Sequence, residues 1–174
     1  MAVEYPWYKT VSNKTPLEQG DFINNCSVVH PKTSKLNRKL KADVIQYDVV
    51  VMTQSCDLLA GKVDLVLVCP IWPLSEQEKI DPNLQSNNGK ERLKRGYYVA
   101  NLMLNKCDLK GFEFEYMIVD FKSVYSVPIS YITDLAEKQG DRVRLLPPYR
   151  EGLSQAFAKF FMRVGYPVDI PSFI

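Results

Sequence analysis

Two runs of Val, Ile and Leu constrain the fold of this chain more than any other feature. Residues 44–53 read VIQYDVVVMT, and residues 62–74 read KVDLVLVCPIWPL. Both have the length of a strand, both are rich in β-branched residues, and turn residues such as Gly61 border them. Runs of this kind are typical of strands that are covered on both faces. The sequence therefore predicts a sheet in which these two segments are central strands.

A segment near the C-terminus has the period of a helix instead. After Pro147 and Pro148, apolar residues recur at i, i+4, i+7, i+8, i+11, i+12 and i+15, starting from Tyr149. Gly165 and Pro167 then supply a stop. We predict an amphipathic helix over 147–166 that buries its Phe and Leu side chains in the core.

The remaining segments predict further antiparallel strands. A Gly-Asp turn at Gly20 leads into a first strand, and residues 97–104 and 112–121 flank a Gly-bearing turn as a hairpin. Residues 124–132 continue as an extended piece, in which Pro128 marks an edge. The predicted fold class is α+β, a small, strongly bent antiparallel β-barrel closed by the C-terminal amphipathic helix.

We predict a single domain over 1–174. Its parts are an irregular N-terminal arm at 1–17, the β-barrel at 18–146 with a polar insertion at 75–95, and the C-terminal helix at 147–166.

Charge and hydropathy exclude some classes of protein. The 22 Lys and Arg residues against 20 Asp and Glu leave a net charge of +2, so any binding to nucleic acid must come from a local patch. No apolar run reaches the roughly 18 to 20 residues of a membrane span, and the N-terminus lacks the pattern of a signal peptide. We expect a cytoplasmic protein that does not bind a membrane and whose four cysteines are free thiols.

Polar and reactive side chains follow the first central strand without a break. They are Thr53, Gln54, Ser55, Cys56 and Asp57. Scaffolds commonly present reactive groups where a strand ends, so Cys56 could be a nucleophile or Asp57 a general base, with Ser55 and Gln54 as hydrogen-bond donors. The alternative is a structural turn, in which Asp57 binds backbone amides, Cys56 points inward and Thr53 is an ordinary strand residue.

His30 is the only histidine of the chain. A thiol–imidazole dyad would therefore have to pair it with Cys56. Cys26 and His30 could start a zinc set, but the chain has no C-x2-C pair and its cysteine spacings are unlike those of a zinc finger. We predict no metal site and no cofactor.

Two basic segments are the candidates for phosphate contacts. The predicted nucleic-acid-binding residues are Lys35, Arg38, Lys39 and Lys41 in the first segment, and Arg92, Lys94 and Arg95 in the second. If the fold brings both to one face beside Tyr97 and Tyr98 or Trp72, they form a charged groove with stacking surfaces for RNA or another single-stranded nucleic acid. The alternative is that both segments are solvated loops and that Trp72 plugs an end of the barrel.

The order of these segments resembles the plan of MazF/PemK-like toxins of toxin–antitoxin systems. The matching positions are Gly20 and Asp21, residues 38–41, Thr53, Pro70 and Ile71, and Asp120. Trp72 stands where the family usually has Thr or Ser after its Pro-Ile pair. The resemblance implies an SH3-like barrel and a metal-independent endoribonuclease. The insertion at 75–95 and the cluster at 53–57 are outside the family's pattern. The predicted catalytic residues are Thr53, Ser55, Cys56 and Asp57 at the end of the strand, together with Arg38 of the basic loop.

Two functions of different classes stay open. The first is a nucleic-acid-acting protein of the MazF/PemK type. The second is a non-catalytic SH3-like barrel that binds a protein partner as an adaptor module of a bacterial multi-component system. A Cys56/His30 hydrolase is a third class, and the sequence leaves open whether the protein is a homodimer.

Overall fold

A computed structural model describes residues 5–32 and 41–162 of the chain. These residues form eight strands, five α-helices and one 3₁₀ turn at Pro82–Gln85. The strands are β1 (Tyr8–Val11), β2 (Phe22–Lys32), β3 (Lys41–Val51), β4 (Leu65–Pro73), β5 (Asn101–Leu104), β6 (Met117–Asp120), β7 (Tyr125–Pro128) and β8 (Arg142–Leu145). The helices are α1 (Ser55–Leu59), α2 (Leu74–Ile80), α3 (Asn87–Lys94), α4 (Ile129–Gln139) and α5 (Tyr149–Phe161).

The strands form two open antiparallel sheets. In the large sheet the order is β2-β3-β4-β6-β5, and β7 also pairs with β4. The small sheet joins β1 to β8. The protein is thus α+β, but the predicted closed β-barrel is wrong, because the described strands leave both sheets with free edges. The two valine-rich runs do form neighbouring strands, with Val50 opposite Cys69.

The central part of the large sheet, where β3 and β4 pair, is covered on both faces. On the face that we call the inner face, Val49 and Val51 of β3 and Val66 and Val68 of β4 pack against Ile132 of α4. On the other face, which we call the outer face, Val50 and Cys69 pack with Leu153 of α5. Alternate side chains of one strand point to opposite faces, which explains why these two strands are apolar at successive positions.

The predicted C-terminal helix and hairpin are present with narrower bounds. Helix α5 begins at Tyr149 and ends at Phe161, and residues 163–166 of the prediction lie outside the described residues. Strands β5 and β6 form the hairpin, with Met103 opposite Ile118. The polar insertion at 75–95 is largely helical, because α2, the 3₁₀ turn and α3 lie within or beside it.

Two segments predicted as irregular or extended have other structures. The arm predicted at 1–17 contains β1, which pairs with β8 through Tyr8 opposite Leu145. The extended piece predicted at 124–132 ends at Pro128, and α4 begins at Ile129. A proline fits this boundary, since it fixes φ and its ring cannot follow a helical residue without strain.

A buried ion network attaches the small sheet to the large one. Asp21 and Arg142 are fully buried, and Arg144 is 2% exposed. Arg142 Nε donates to Asp21 Oδ2 at 2.8 Å, Arg144 Nη2 donates to the same oxygen at 2.9 Å, and Arg144 also pairs with Glu18. Burial alone would lower the pKa of Arg144, but Asp21 and Glu18 outweigh it and raise that pKa. The network therefore favours the charged form of the Arg144 guanidinium inside the protein.

Candidate functional sites

Thr53 extends the ladder between β3 and β4. Its Oγ1 accepts the Leu67 N–H at 2.7 Å, and the Met52 N–H donates to the Leu67 carbonyl at 2.8 Å. The hydroxyl therefore replaces a backbone acceptor at the point where β3 ends. Thr53 itself lies two residues beyond the end of β3 and makes this contact through its side chain.

Ser55 and Asp57 lie in the short helix α1, which the sequence analysis did not predict. Ser55 Oγ accepts the Gln19 N–H at 3.1 Å, and the buried Gln19 side chain donates to the Met52 carbonyl at 2.8 Å. The Asp57 carbonyl accepts the Lys62 N–H at 3.0 Å and so closes the turn after α1. These contacts hold the 53–57 segment against the loop before β2.

Cys56 is exposed and borders a small polar cavity between α1 and α5. The cavity measures about 450 Å³, and its lining includes Gln54, Cys56, Arg150 and Ser154. Gln54 Nε2 lies 3.4 Å from Ser154 Oγ, and Arg150 contacts Glu18 and Glu151. The Cys56 thiol lies 3.8 Å from Asp57 Oδ1. The arginine of this cavity is thus engaged by carboxylates.

The three other cysteines are buried in the two cores. Cys26 and Cys69 are fully buried, and Cys107 is 2% exposed. Burial raises the pKa of the Cys26 thiol to about 11 and that of Cys69 to about 12. At neutral pH these thiols are therefore almost entirely protonated and shielded from reagents.

We expect Cys56 to be the one thiol among these four that reacts in the native protein. One equivalent of maleimide should be incorporated quickly, and three more only after denaturation, because thiolate reactivity requires both ionisation and access. Mass spectrometry of the native protein and of Cys56→Ser would measure this. Fast incorporation into the native Cys56→Ser variant would contradict the burial of the other thiols.

The structure separates His30 from Cys56. His30 lies in β2 opposite Asp43, near the beginning of β3, whereas Cys56 follows the end of β3. Because the length of β3 lies between them, the His30 imidazole and the Cys56 thiol do not form a dyad. Within the described part of the chain, no group of three or more His, Cys, Asp or Glu side chains is placed to hold a metal ion.

The predicted basic residues fall into three places. Lys35, Arg38 and Lys39 lie outside the described residues. Lys41 is the exposed first residue of β3, so it lies at the opposite end of that strand from Thr53. At roughly 3.3 Å per residue, the strand path between them is about 40 Å. The structure therefore does not bring Lys41 together with the 53–57 segment.

The second basic group lies on α3. The Arg92 guanidinium lies over the Tyr98 ring, 5.9 Å from its centroid. Lys94 and Arg95 both pair with Glu91, and all three side chains of these pairs are more than half exposed. Such exposed pairs contribute little stability, so both cations can exchange this carboxylate for another anion.

An aromatic cluster that the sequence analysis did not predict lies on the inner face of the large sheet. It consists of His30, Tyr47, Trp72 and Tyr125, and each of the four is half-buried. Tyr47 is central: its ring stacks on Tyr125 at 5.5 Å between centroids and meets Trp72 edge-on at 5.9 Å. The His30 ring lies 5.2 Å from that of Tyr125. Burial and the neighbouring Tyr47 raise the pKa of Tyr125 to about 12.

The strand register places Lys41 on the same face as this aromatic cluster and brings α3 next to it. Lys41 and Tyr47 share the inner face of β3, since residues an even number apart point the same way. Trp72 is opposite Ile118, and Ile118 packs with Leu93 of α3. The inner face thus carries Lys41 and the aromatic cluster, and α3 packs on Ile118 next to Trp72. Lys94 of α3 lines a separate cavity with Trp7 and Leu104 of the outer-face core.

A comparison with protein-family models finds no match, and a comparison with curated proteins finds none either. In residues 5–32 and 41–162, no helix combines the length and the apolar character needed to cross a membrane.

Proposed function

We propose that this protein binds single-stranded nucleic acid on the inner face of its large sheet. The observation that carries the proposal is the half-exposed aromatic cluster, with Lys41 on the same face and the basic helix α3 next to it. Bases stack on aromatic rings with little regard to sequence, and lysines and arginines beside them bind the phosphates. We assign stacking to Tyr47, Trp72 and Tyr125 and phosphate contacts to Lys41, Arg92, Lys94 and Arg95.

The geometry supports binding of nucleic acid at the aromatic cluster more than cleavage of nucleic acid at the 53–57 segment. The hydroxyls of Thr53 and Ser55 accept backbone N–H groups, and the nearby Arg150 is engaged by Glu18 and Glu151. A phosphate at this segment would have to displace a carboxylate from Arg150. The aromatic cluster, in contrast, offers ring surface without any such rearrangement.

Binding should be measured with a fluorescein-labelled RNA of mixed sequence and roughly 12 nucleotides, a length within the usual site size of such proteins. Fluorescence anisotropy should show an affinity that falls steeply between about 50 and 200 mM salt. Tyr47→Leu should weaken binding roughly tenfold or more, because stacking of one base contributes about 1–3 kcal/mol.

Matched variants separate stacking from general surface effects. Tyr5→Leu removes an aromatic ring that is 53% exposed but lies outside the aromatic cluster, so it should leave the affinity unchanged. Lys41→Gln removes one phosphate contact, so the slope of log affinity against log salt concentration should become shallower by about 1. Asp57→Ala should change neither affinity nor slope. Equal RNA affinity of Tyr47→Leu and Tyr5→Leu, or no binding by the unchanged protein at low salt, would contradict the proposal.

A further inference from the structure

Strands β2 and β7 are facing edges of the curled large sheet. Each pairs with one neighbour only, β2 with β3 and β7 with β4, and no ladder joins the two edges among the described residues. They border a cavity of about 610 Å³, which we call the gap; Ser27 and Val29 line one side, and Ser126 and Pro128 line the other. Because β2–β3, β3–β4 and β4–β7 are all antiparallel, β2 and β7 run in opposite directions.

Two contacts fix which residues face each other across the gap. The Ser27 N–H donates to the Tyr131 hydroxyl, at the start of α4, at 2.7 Å. Further along, the His30 ring lies 5.2 Å from the Tyr125 ring. Residues 27–30 of β2 therefore lie opposite residues 125–128 of β7.

The backbone groups of both edges point into the gap. The Ser27 N–H points away from β3, since it binds Tyr131, and Val29 has the same orientation because N–H directions alternate along a strand. On β4, the Leu67 N–H and C=O both bind on the β3 side. Val66 and Val68 therefore bind β7 through Val127 and Tyr125. The backbone of Ser126 is left facing the gap.

The outer face beside the gap is apolar and exposed. Leu67 is opposite Ser126 on one side, and Val29 is opposite Val44 on the other. Leu67 is 39% exposed, Val29 is 61% exposed and Val44 is 65% exposed. Val29 and Val44 are cross-strand neighbours and form an exposed apolar pair at the β2 edge, whereas Ser126 lies between Leu67 and the gap.

We propose that the gap accepts an extended peptide segment of a partner protein, which adds a strand between β2 and β7. The backbone groups of Val29 and Ser126 would then be hydrogen-bonded to the peptide, and a peptide side chain would cover Val29, while the Ser27 N–H keeps the Tyr131 hydroxyl as its acceptor. Recognition of this kind takes affinity from backbone hydrogen bonds and specificity from alternate side chains. The proposal does not rest on nucleic-acid binding, because it uses the strand edges and the outer face; Tyr125 of the aromatic cluster also lines the gap.

Charge indicates the chemistry of the peptide. Lys122 is exposed just before β7, and Lys32 lies at the end of β2 that faces it. Lys32 pairs with Asp43, whereas none of the described acidic side chains forms a salt bridge with Lys122. The segment that fits is therefore rich in β-branched apolar residues and carries an acidic residue at the end near Lys122.

A synthetic peptide of sequence Glu-Val-Thr-Val-Thr-Val, blocked at both ends, tests this proposal by isothermal titration calorimetry. We expect it to bind the full chain, and we expect the same peptide with N-methyl groups on alternate backbone nitrogens to bind at least about tenfold more weakly. N-methylation removes strand hydrogen bonds and keeps every side chain. Equal binding of the two peptides, or no binding by either, would overturn the proposal.

Variants of Val29 locate the peptide on the protein. Val29→Pro removes the N–H that points into the gap and should lower peptide affinity about tenfold, whereas Val29→Ala keeps that N–H and should lower it much less. If Val29→Pro does not fold, the N-methylated peptide on the unchanged protein still decides. Sedimentation that shows self-association abolished by Val29→Pro would assign the gap to a second copy of this chain and overturn the peptide proposal. The proposal would also be overturned if RNA displaced the peptide from the protein and the Val29→Pro variant bound the peptide with unchanged affinity.

Discussion

Replacing Asp21 with Ala should lower the free energy of unfolding by about 3–5 kcal/mol, the loss expected when one partner of a buried ion network is removed. The Asp21 carboxylate is fully buried between Arg142 and Arg144, which donate three of its hydrogen bonds at distances that include 2.8 and 2.9 Å. Without it, two guanidinium groups remain in the interior with less compensation, because the Ser12, Thr15 and Pro16 carbonyls are neutral acceptors. Urea denaturation followed by circular dichroism measures the change.

An exposed aspartate provides the control for this prediction. Asp134 lies on α4 and is exposed, so Asp134→Ala should change the unfolding free energy by no more than about 0.5 kcal/mol. A second comparison isolates the buried charge: Asp21→Ala combined with Arg144→Met should be less destabilised than the sum of the two single variants. Equal stability of Asp21→Ala and Asp134→Ala would show that the network does not hold the small sheet in place.

The same network explains why β8 was not predicted from the sequence. Its segment reads RVRL, and two arginines in four residues are typical of a solvated strand or loop. Both arginines are buried because Asp21, far away in the chain, supplies their counter-charge. No local pattern encodes such a pairing. Strand β1 was missed for the same reason, since the strand that it pairs with is β8.

Elements with a strong local period were predicted well. Helix α5 follows from its apolar spacing, and β3 and β4 follow from their runs of β-branched residues. Helix α4 could have been predicted in the same way, because Ile129, Ile132 and Ala136 have helical spacing. It was missed because Pro128 was interpreted as the mark of an edge strand. The closed barrel was wrong because closure depends on whether two distant edges pair, and β2 and β7 do not.

The candidate site shows the same division between local and long-range information. Lys41 and Trp72 were both singled out, because a basic segment and a tryptophan after a buried strand are visible in the sequence. Tyr47 and Tyr125 were not, although their alternation with buried valines places them on the inner face. Their stacking on each other requires β3 and β7 to curl toward one another. The face of a strand on which a side chain lies is easier to predict from a sequence than the side chain that it contacts on another strand.

Replacing Gly89 with Ala should destabilise the protein by about 3 kcal/mol, through a clash that neighbouring atoms cannot relieve cheaply. Gly89 lies in the first turn of α3, and a Cβ atom at that position would stand 1.7 Å from the Asn83 carbonyl oxygen of the 3₁₀ turn. The obstacle is backbone, so α3 or the turn has to move. The Gly89 N–H also donates to Ser86 Oγ at 3.0 Å, and this bond would be strained by the same movement.

The matched control is Gly152→Ala on α5, where a Cβ atom would meet nothing within 4 Å. Ala lowers the entropy of the unfolded chain and favours a helix, so Gly152→Ala should stabilise the protein by roughly 0.5–1 kcal/mol. The same Gly→Ala substitution should therefore lower stability at position 89 and raise it at position 152. Thermal unfolding of both variants measures the two changes. Displacement of α3 by Gly89→Ala should also weaken RNA binding, because Arg92, Lys94 and Arg95 move with the helix. A Gly89→Ala protein as stable as Gly152→Ala would show that α3 does not pack on the 3₁₀ turn in this way.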